Sequence, residues 1–437
     1  MGSYIPNSAA EERAMLDSLG LSSATQLFDH LPEAVRLNGL DIPEGRSELE
    51  VREAVEAMAE KNKRFRSIFR GAGAYNHYIP SIVKSVTSKK EFVTAYTPYQ
   101  AEISQGVLQS IFEYQTMICE LTGMDVSNAS VYDGAVAAAE AIVMCQERKR
   151  SRAVVSGAVN PQVRTVIQTY CESHKIPLEI LPTVDGLTDP AALMAALKAD
   201  DACVYFQQPN FYGLIENGEA LVAAAHAVGA KAIVGVDPIS LGLLKTPGEY
   251  GADIAVGEGQ SLGLPMGFGG PYLGFMASTQ AMMRRLPGRI VGQTVDAKGN
   301  RAFVLTLQAR EQHIRREKAT SSICSNEALC AMTASVYLAT VGPDGLAQCA
   351  RQCLNNAHYA AAEISKIPGF SLRYSAPFYQ EFVTECPNSE EVLNTLARNG
   401  ILGGLPVEGG ILWCVTEMNN KGQIDALVEL LKEVATV

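Results

Sequence analysis

The sequence predicts an α/β fold: a large domain built on a mainly parallel sheet, followed by a small C-terminal α+β domain. Three observations predict it. From about residue 133, short apolar, β-rich runs alternate with helical stretches of about 10–15 residues, the pattern of βαβ units. The strand-like runs are apolar almost throughout, as strands covered on both faces must be. After Pro287 the texture changes, and a basic run leads into a long helix.

Residues 8–62 are locally acidic and have apolar positions near helical spacing in "AAEERAMLDSLG", "SATQLFDHL" and "SELEVREAVEAMAEKNKR". A Ser or Asn stands near each as a possible N-cap. They predict a helical arm or packing layer, with the domain boundary at residue 65. The turn-prone "RGAGAYNHYIPSIVKS" follows, then "AYTPYQAEISQG" and a helix from about Ile103 to Leu121. Next comes the alternation of the large domain, 66–330. Helices "GAVAAAEAIVMCQER", "PQVRTVIQTYCESH", "PAALMAALKA" and "GEALVAAAHAVG" separate strands "RAVVS", "PLEILP", "ACVYFQQ" and "KAIVGVDP". Strand "DIAVGEG" comes last and runs into "GQSLGLPMGFGGP". Ligands of such sheets sit outside the carboxyl ends of the strands, so "FQQPNFYG", "GVDPISLG" and "GEGQSLGLPMGFGG" mark where a site belongs. The small domain, 331–437, holds helix "GLAQCARQCLNNAHYAAAEISKI", then strands and a helix, with "GGILWCVTE" near its end.

Composition narrows the function. The 437 residues are 47% hydrophobic and 19% charged, which excludes a disordered chain. A net charge of −11 disfavours nucleic acid as a partner. No run reaches the roughly 18 apolar residues of a membrane span. The opening "MGSYIPNSAAEERAMLDSLG" lacks the basic-then-apolar order of a signal peptide and carries acidic residues that a transit peptide avoids, so a cytoplasmic location is expected. Met1-Gly2-Ser3 begins like a myristoylation site, but Pro6-Asn7 continues it poorly and no second membrane signal follows. The ten cysteines are scattered singly. Only Cys349 and Cys353 are close, and without a nearby His pair they read as buried free thiols rather than metal ligands.

Several residues are candidates for chemistry. "GLPMGFGGPYLG" is followed by hairpin-like sequence, so it is not a dinucleotide fingerprint, and no Walker-type loop or HExxH motif occurs. Asp237 ends the strand "KAIVGVDP"; its carboxylate there either receives a protonated ring nitrogen of a cofactor or caps the next turn. His313, beside Arg310, Arg315 and Arg316, forms either an anion site or an ion-paired surface, and on its own the surface reading is preferred. "YNHYIP" and "YTPYQAEISQG" hold more aromatic and amide groups than packing needs, which suits orienting a small polar ligand.

"AYTPYQAEISQG" (Ala95–Gly106) and "YQTMICELTGMDVSNASVYDG" (Tyr114–Gly134) closely resemble the P-protein family of the glycine cleavage system, glycine dehydrogenase (decarboxylating). The resemblance resumes in "GEYGADIAVGEGQSLGLPMGFGGPYLGFMA", "LPGRIVGQTVDAKGN" and "LTLQAREQHIRREKATSSICSNEAL". With the opening "YIPNSAAEERAML" it covers nearly the whole chain. It is closest to the N-terminal half of the single-chain enzyme, which is a separate alpha subunit where the halves are separate proteins. The resemblance implies the fold type I, PLP-dependent transferase-like architecture, whose large domain has a seven-stranded, mainly parallel sheet. It also implies decarboxylation of glycine with pyridoxal phosphate (PLP) as electron sink, and transfer of the aminomethyl group to the lipoyl arm of the H-protein, whose disulfide is reduced.

Such chemistry needs a lysine to hold PLP. In the family's catalytic half that lysine lies at a strand end before a glycine-rich loop, matching the Gln260–Ser261 neighbourhood here. No lysine occurs between Lys245 and Lys298, and the Ser261 hydroxyl, near the equivalent position, cannot form a Schiff base. The resemblance therefore implies no catalytic residue in this chain, which alone would be inactive. PLP would be held covalently by a partner beta subunit in an α2β2 assembly that takes glycine and lipoylated H-protein as partners. Asp237 becomes a relic of the ring-nitrogen position. Tyr96, Tyr99, Gln100 and Glu102 belong to the family's signature segment and are expected to line the inter-subunit cleft. His313, Arg315 and Arg316 are expected at the cleft or interface. A different reading keeps every one of these features: an inert scaffold that only stabilises or regulates the beta subunit.

Overall fold

A computed structural model of the protein describes residues 7–37, 39–323, 326–386 and 388–435. The myristoylation-like opening lies outside the described residues. The chain divides into two compact units, Met1–Lys63 and Arg64–Val437.

In the first unit, α1 (Ala9–Ser18) and α2 (Glu48–Ala59) each start on a capping box. Ser8 and Glu11, then Ser47 and Glu50, satisfy one another's backbone N–H groups. "SATQLFDHL" forms only a short 3-10 turn over Ala24–Phe28, because Pro32 disfavours helical backbone at Leu31 and a segment this short cannot sustain a helix. None of the unit's described residues is buried, so Leu27, Phe28, Leu31 and Val35 keep their side chains exposed.

The second unit opens with β1 (Ser67–Ile68), α3 (Ser81–Thr87), α4 (Lys90–Val93), α5 (Gln105–Thr122) and β2 (Val126–Ser127). The expected alternation follows as α6 (Gly134–Met144), β3 (Arg152–Ser156), α7 (Pro161–His174), β4 (Leu178–Leu181), α8 (Pro190–Ala196), β5 (Asp201–Gln208), α9 (Gly218–Ala227), β6 (Lys231–Val236) and β7 (Ile254–Glu258). Then come β8 (Gly274–Ser278), the hairpin β9 (Ile290–Val295) and β10 (Arg301–Thr306), and α10 (Gln312–Arg315). The chain closes with α11 (Ala328–Ile364), β11 (Glu381–Glu385), α12 (Ser389–Arg398), β12 (Ile401–Leu402), β13 (Leu405–Val407), β14 (Gly410–Cys414) and α13 (Lys421–Ala435).

The main sheet has seven strands in the order β2-β8-β7-β6-β5-β3-β4. The five strands from β4 to β7 run parallel, and β8 is antiparallel to both its neighbours. Alternate residues feed opposite layers. Val154, Val204, Val234 and Ala255 pack with α5, α9 and α11, while Val155, Tyr205, Ile233 and Val256 pack with α6 and α7. Each fully buried aliphatic side chain contributes about 1.5–3 kcal/mol, so two-sided burial explains the unbroken apolar runs. α6 buries Ala137, Ala138, Ala139 and Ala141, small side chains that let the helix lie close on the sheet.

α11 joins two stretches that the sequence presents separately. It breaks at Gly342, whose φ of 60° suits glycine, and Pro343 opens the second segment. Its first part packs on the main sheet and its last turns on the C-terminal layer, where β11-β14-β13 surround buried Trp413. β1 pairs in parallel with β12 as a separate two-stranded sheet, and the neighbouring Phe69 packs in the same core as Trp413. Among the described residues no helix is long and apolar enough to cross a membrane.

Candidate functional site

The parallel strands bring the ends of β6 and β7 together. Asp237 follows β6; its Oδ1 accepts from Ile239 N (3.1 Å) and its Oδ2 from the Gln380 side-chain amide (2.8 Å). Burial pushes its carboxyl up to about 6, against the pull of His77. Glu258 ends β7. Its Oε1 accepts from the backbone N–H groups of Gln260 and Leu273, both at 2.9 Å, and its Oε2 from Gly134 N at 3.0 Å. Gly134 is the first residue of α6, so a carboxylate of this chain occupies the anion-favouring helix N-terminus beside the sheet end.

Gln260 and Ser261 occupy the turn after β7, and both are buried. The Gln260 side chain accepts from Tyr75 N (2.8 Å) and donates to Tyr75 O (3.0 Å) and Leu264 O (2.8 Å). A reactive side chain is absent there, and the glutamine instead ties the segment around Tyr75 to the sheet. Gln260→Ala leaves three backbone groups without this partner, and we expect a loss of about 2 kcal/mol in urea unfolding of the full chain; a change under half of that would remove this role. Gly259-Gln260-Ser261-Leu262-Gly263 also spells GxSxG, so an expectation that this motif is absent from the sequence does not hold. No helix follows the turn, and Ser261 Oγ is buried without a hydrogen-bond partner, so it is not an activated nucleophile.

Other groups at this end carry no sequence motif. Tyr75 Oη donates to Glu381 Oε2 (2.9 Å) and Ala72 N to Glu381 Oε1 (2.6 Å). Burial pushes the Glu381 carboxyl up to about 7. His77 Nδ1 stands 2.7 Å from Glu417 Oε2, and Tyr78 N donates to Glu417 Oε1 at 2.7 Å. Burial alone would raise Glu417, but the hydrogen bond and charge of His77 outweigh it and hold the carboxyl at about 2. Tyr75, His77 and Tyr78 lie in a stretch singled out from the sequence, "YNHYIP", whereas Glu381 and Glu417 were not named as candidates.

The signature segment forms a different feature. Tyr96, Tyr99 and Gln100, between α4 and α5, line an open recess of about 640 Å³ together with Phe92, Ile103 and Val107. Tyr96 is 78% and Tyr99 57% exposed. The Arg289 guanidinium lies over the Tyr99 ring, 5.0 Å from its centre. Glu102 is exposed and is not part of the lining. His313 and Arg315 stand exposed on α10, also outside the lining, and His313 Nδ1 is 3.7 Å from Glu311. Arg310 leaves that basic cluster: it is buried, donating to Leu286 O and, at 2.9 Å, to Gly288 O.

The doubly layered, mostly parallel seven-stranded sheet, with a carboxylate closing β6 and a tight turn after β7, defines the class of PLP-dependent transferase-fold proteins. Glutamate decarboxylase from Lactobacillus brevis shares that fold, with a TM-score of 0.67 at 13% identity over 94% of this chain and 97% of that one. A crystal structure of glycine decarboxylase (P-protein) of the glycine cleavage system, in inhibitor-bound form, is much more similar. Its TM-score is 0.93 at 43% identity, covering 99% of this chain and 100% of that one. In sequence, the "probable glycine dehydrogenase (decarboxylating) subunit 1" of Moorella thermoacetica is 51% identical over 441 residues, 99% of each chain. The family model for the glycine cleavage system P-protein matches residues 2–431, and the chain belongs to that family.

Proposed function

We propose that this chain is the first, alpha subunit of a glycine decarboxylase and acts with a second, beta subunit that carries the PLP. One observation carries the division of labour: the turn after β7 has no lysine, and none lies between Lys245 and Lys298. The surrounding groups agree with it. Glu258 takes the Gly134 N–H at the start of α6, and Gln380 donates to Asp237, so groups that would meet a phosphate and a ring nitrogen are already engaged within the chain. PLP does not fit these residues as they stand, and the chain alone is inactive.

With its partner the chain takes part in decarboxylation of glycine and in transfer of the aminomethyl group to lipoylated H-protein, in an α2β2 assembly in the cytoplasm. The name of the Moorella relative, a subunit 1, supports a second subunit. The unburied apolar side chains of Leu27, Phe28 and Leu31 support an extended contact with it. Nine described cysteines, all free thiols, suit a reducing compartment. We assign the recess at Tyr96, Tyr99 and Gln100 to the cleft between the subunits. To test the assignment of PLP, the loaded complex is reduced with borohydride and digested; the pyridoxyl-lysine peptide is expected from the second subunit. A pyridoxyl-lysine peptide from this chain would falsify the proposal.

A further inference from the structure

We infer that His77, Cys349, Cys353 and Glu417 form a closed site for one zinc ion, separate from the recess and independent of the glycine decarboxylase reading. One donor atom from each residue lies within 4.8 Å of every other. His77 Nδ1 is 2.7 Å from Glu417 Oε2 and 4.0 Å from Cys349 Sγ, and Cys353 Sγ is 3.3 Å from Glu417 Oε2. Two thiols, an imidazole and a carboxylate make a four-coordinate set suited to zinc, and four protein ligands leave no open position for catalysis. A tetrahedral ion with ordinary zinc–ligand bonds needs donor separations of about 3.3–3.8 Å. Seating it widens the His77–Glu417 pair and draws Cys349 inward, movements of up to about 1 Å that side-chain torsions can supply.

The spacing of the two cysteines also fits. At i and i+4 on the segment of α11 beyond Gly342 they share one helix face, and the other ligands come from far away in sequence. His77 precedes α3 and Glu417 follows β14, so the ion would tie together three remote stretches of one unit. A second observation points to a ligand here. The Tyr379 hydroxyl is buried, makes no well-formed hydrogen bond and interacts with the Cys353 sulfur, where a zinc-bound thiolate would accept a hydrogen bond from it. Glu417 is oriented for the task, since Tyr78 N holds Oε1 and leaves Oε2 facing the sulfurs. The ligands would enter as two thiolates, a neutral imidazole and a carboxylate, so zinc binding is coupled to proton release.

The test uses the full-length chain, loaded with zinc, freed of excess metal by gel filtration and analysed by mass spectrometry for metal content. One zinc per chain and a zinc-dependent rise in melting temperature are expected. Cobalt(II) in place of zinc should give the intense d–d bands of a tetrahedral ion and thiolate charge-transfer absorption. Cys353→Ser and Cys349→Ser should each weaken zinc binding more than about 100-fold, whereas Cys386→Ser, at a buried thiol outside the cluster, should not change it. If the serine variants fail to fold, the cobalt spectrum of the unaltered chain decides. A folded chain that takes up no stoichiometric zinc, or cobalt bound without thiolate absorption, overturns the assignment. So does full zinc retention in the Cys349→Ser/Cys353→Ser double variant.

Discussion

Glu258→Ala is expected to destabilise the chain by about 3 kcal/mol or more, a loss visible as an earlier urea transition of the full-length protein. The carboxylate accepts from Gly134, Gln260 and Leu273 N–H groups, and each buried donor left without a partner costs about 1–3 kcal/mol. A further contribution disappears with the negative charge at the N-terminus of α6. Glu258→Gln keeps the volume but turns an –NH2 toward one of those donors, so it too destabilises, by less. The same variant has a pH signature. Burial pushes the Glu258 carboxyl up to about 7, although the three backbone donors pull it down. A folded-state value above the unfolded one means the folded chain binds the extra proton. The group's stabilising contribution is therefore complete below about pH 4.5 and is lost as pH rises through about 7, a change on the order of 3 kcal/mol. Glu381, also raised to about 7 by burial, adds in the same direction. Stability of the unaltered chain should thus fall between about pH 5 and pH 8, with a shallower fall in Glu258→Gln. Identical slopes in both proteins would remove Glu258 as a titrating group.

What could be read from the sequence was set locally. The strand–helix alternation survives nearly residue for residue, with "RAVVS" and "PQVRTVIQTYCESH" matching β3 and α7, because two-sided burial and a Pro at the first helical turn both mark the chain directly. The lysine-free window was likewise plain to see, but its meaning came from the family resemblance. What no local pattern encodes depends on groups that are remote along the chain. Glu258 meets Gly134 across 124 positions and Tyr75 meets Gln260 across 185, distances over which no periodicity speaks. Cys349 and Cys353 have no nearby His pair in sequence, yet in space His77 stands 4.0 Å from Cys349 Sγ across 272 positions. "SATQLFDHL" kept its helical pattern yet not its helix, because pattern without length or buried contact does not stabilise one. Arg310 looked like its exposed basic neighbours, although its guanidinium is buried against backbone carbonyls.

Tyr96→Ala and Gln100→Ala together are expected to lower glycine–bicarbonate exchange by the reconstituted complex about 10- to 100-fold while assembly with the second subunit remains intact. On the proposed role each side chain would supply one contact that orients a small polar substrate, and such a contact contributes about 1 kcal/mol, so losing two of them gives one to two orders of magnitude. Their exposure decides how the loss is read. Tyr96 is 78% exposed and Gln100 is exposed as well, so truncating them removes little packing and should leave the melting temperature of the chain almost unchanged. Tyr99 is a poorer choice, because the Arg289 guanidinium lies over its ring and its removal would disturb the wall itself. If the recess faces the cleft and helps seat glycine, KM rises in the double variant, with kcat falling as well where the same contacts align the reacting carboxylate. A scaffold behaves differently: with only stabilisation or regulation of the partner to perform, exchange keeps its kinetic constants in a complex of unchanged composition. Unaltered exchange would therefore withdraw the recess from the glycine pocket and leave this chain as support for the subunit that holds the lysine.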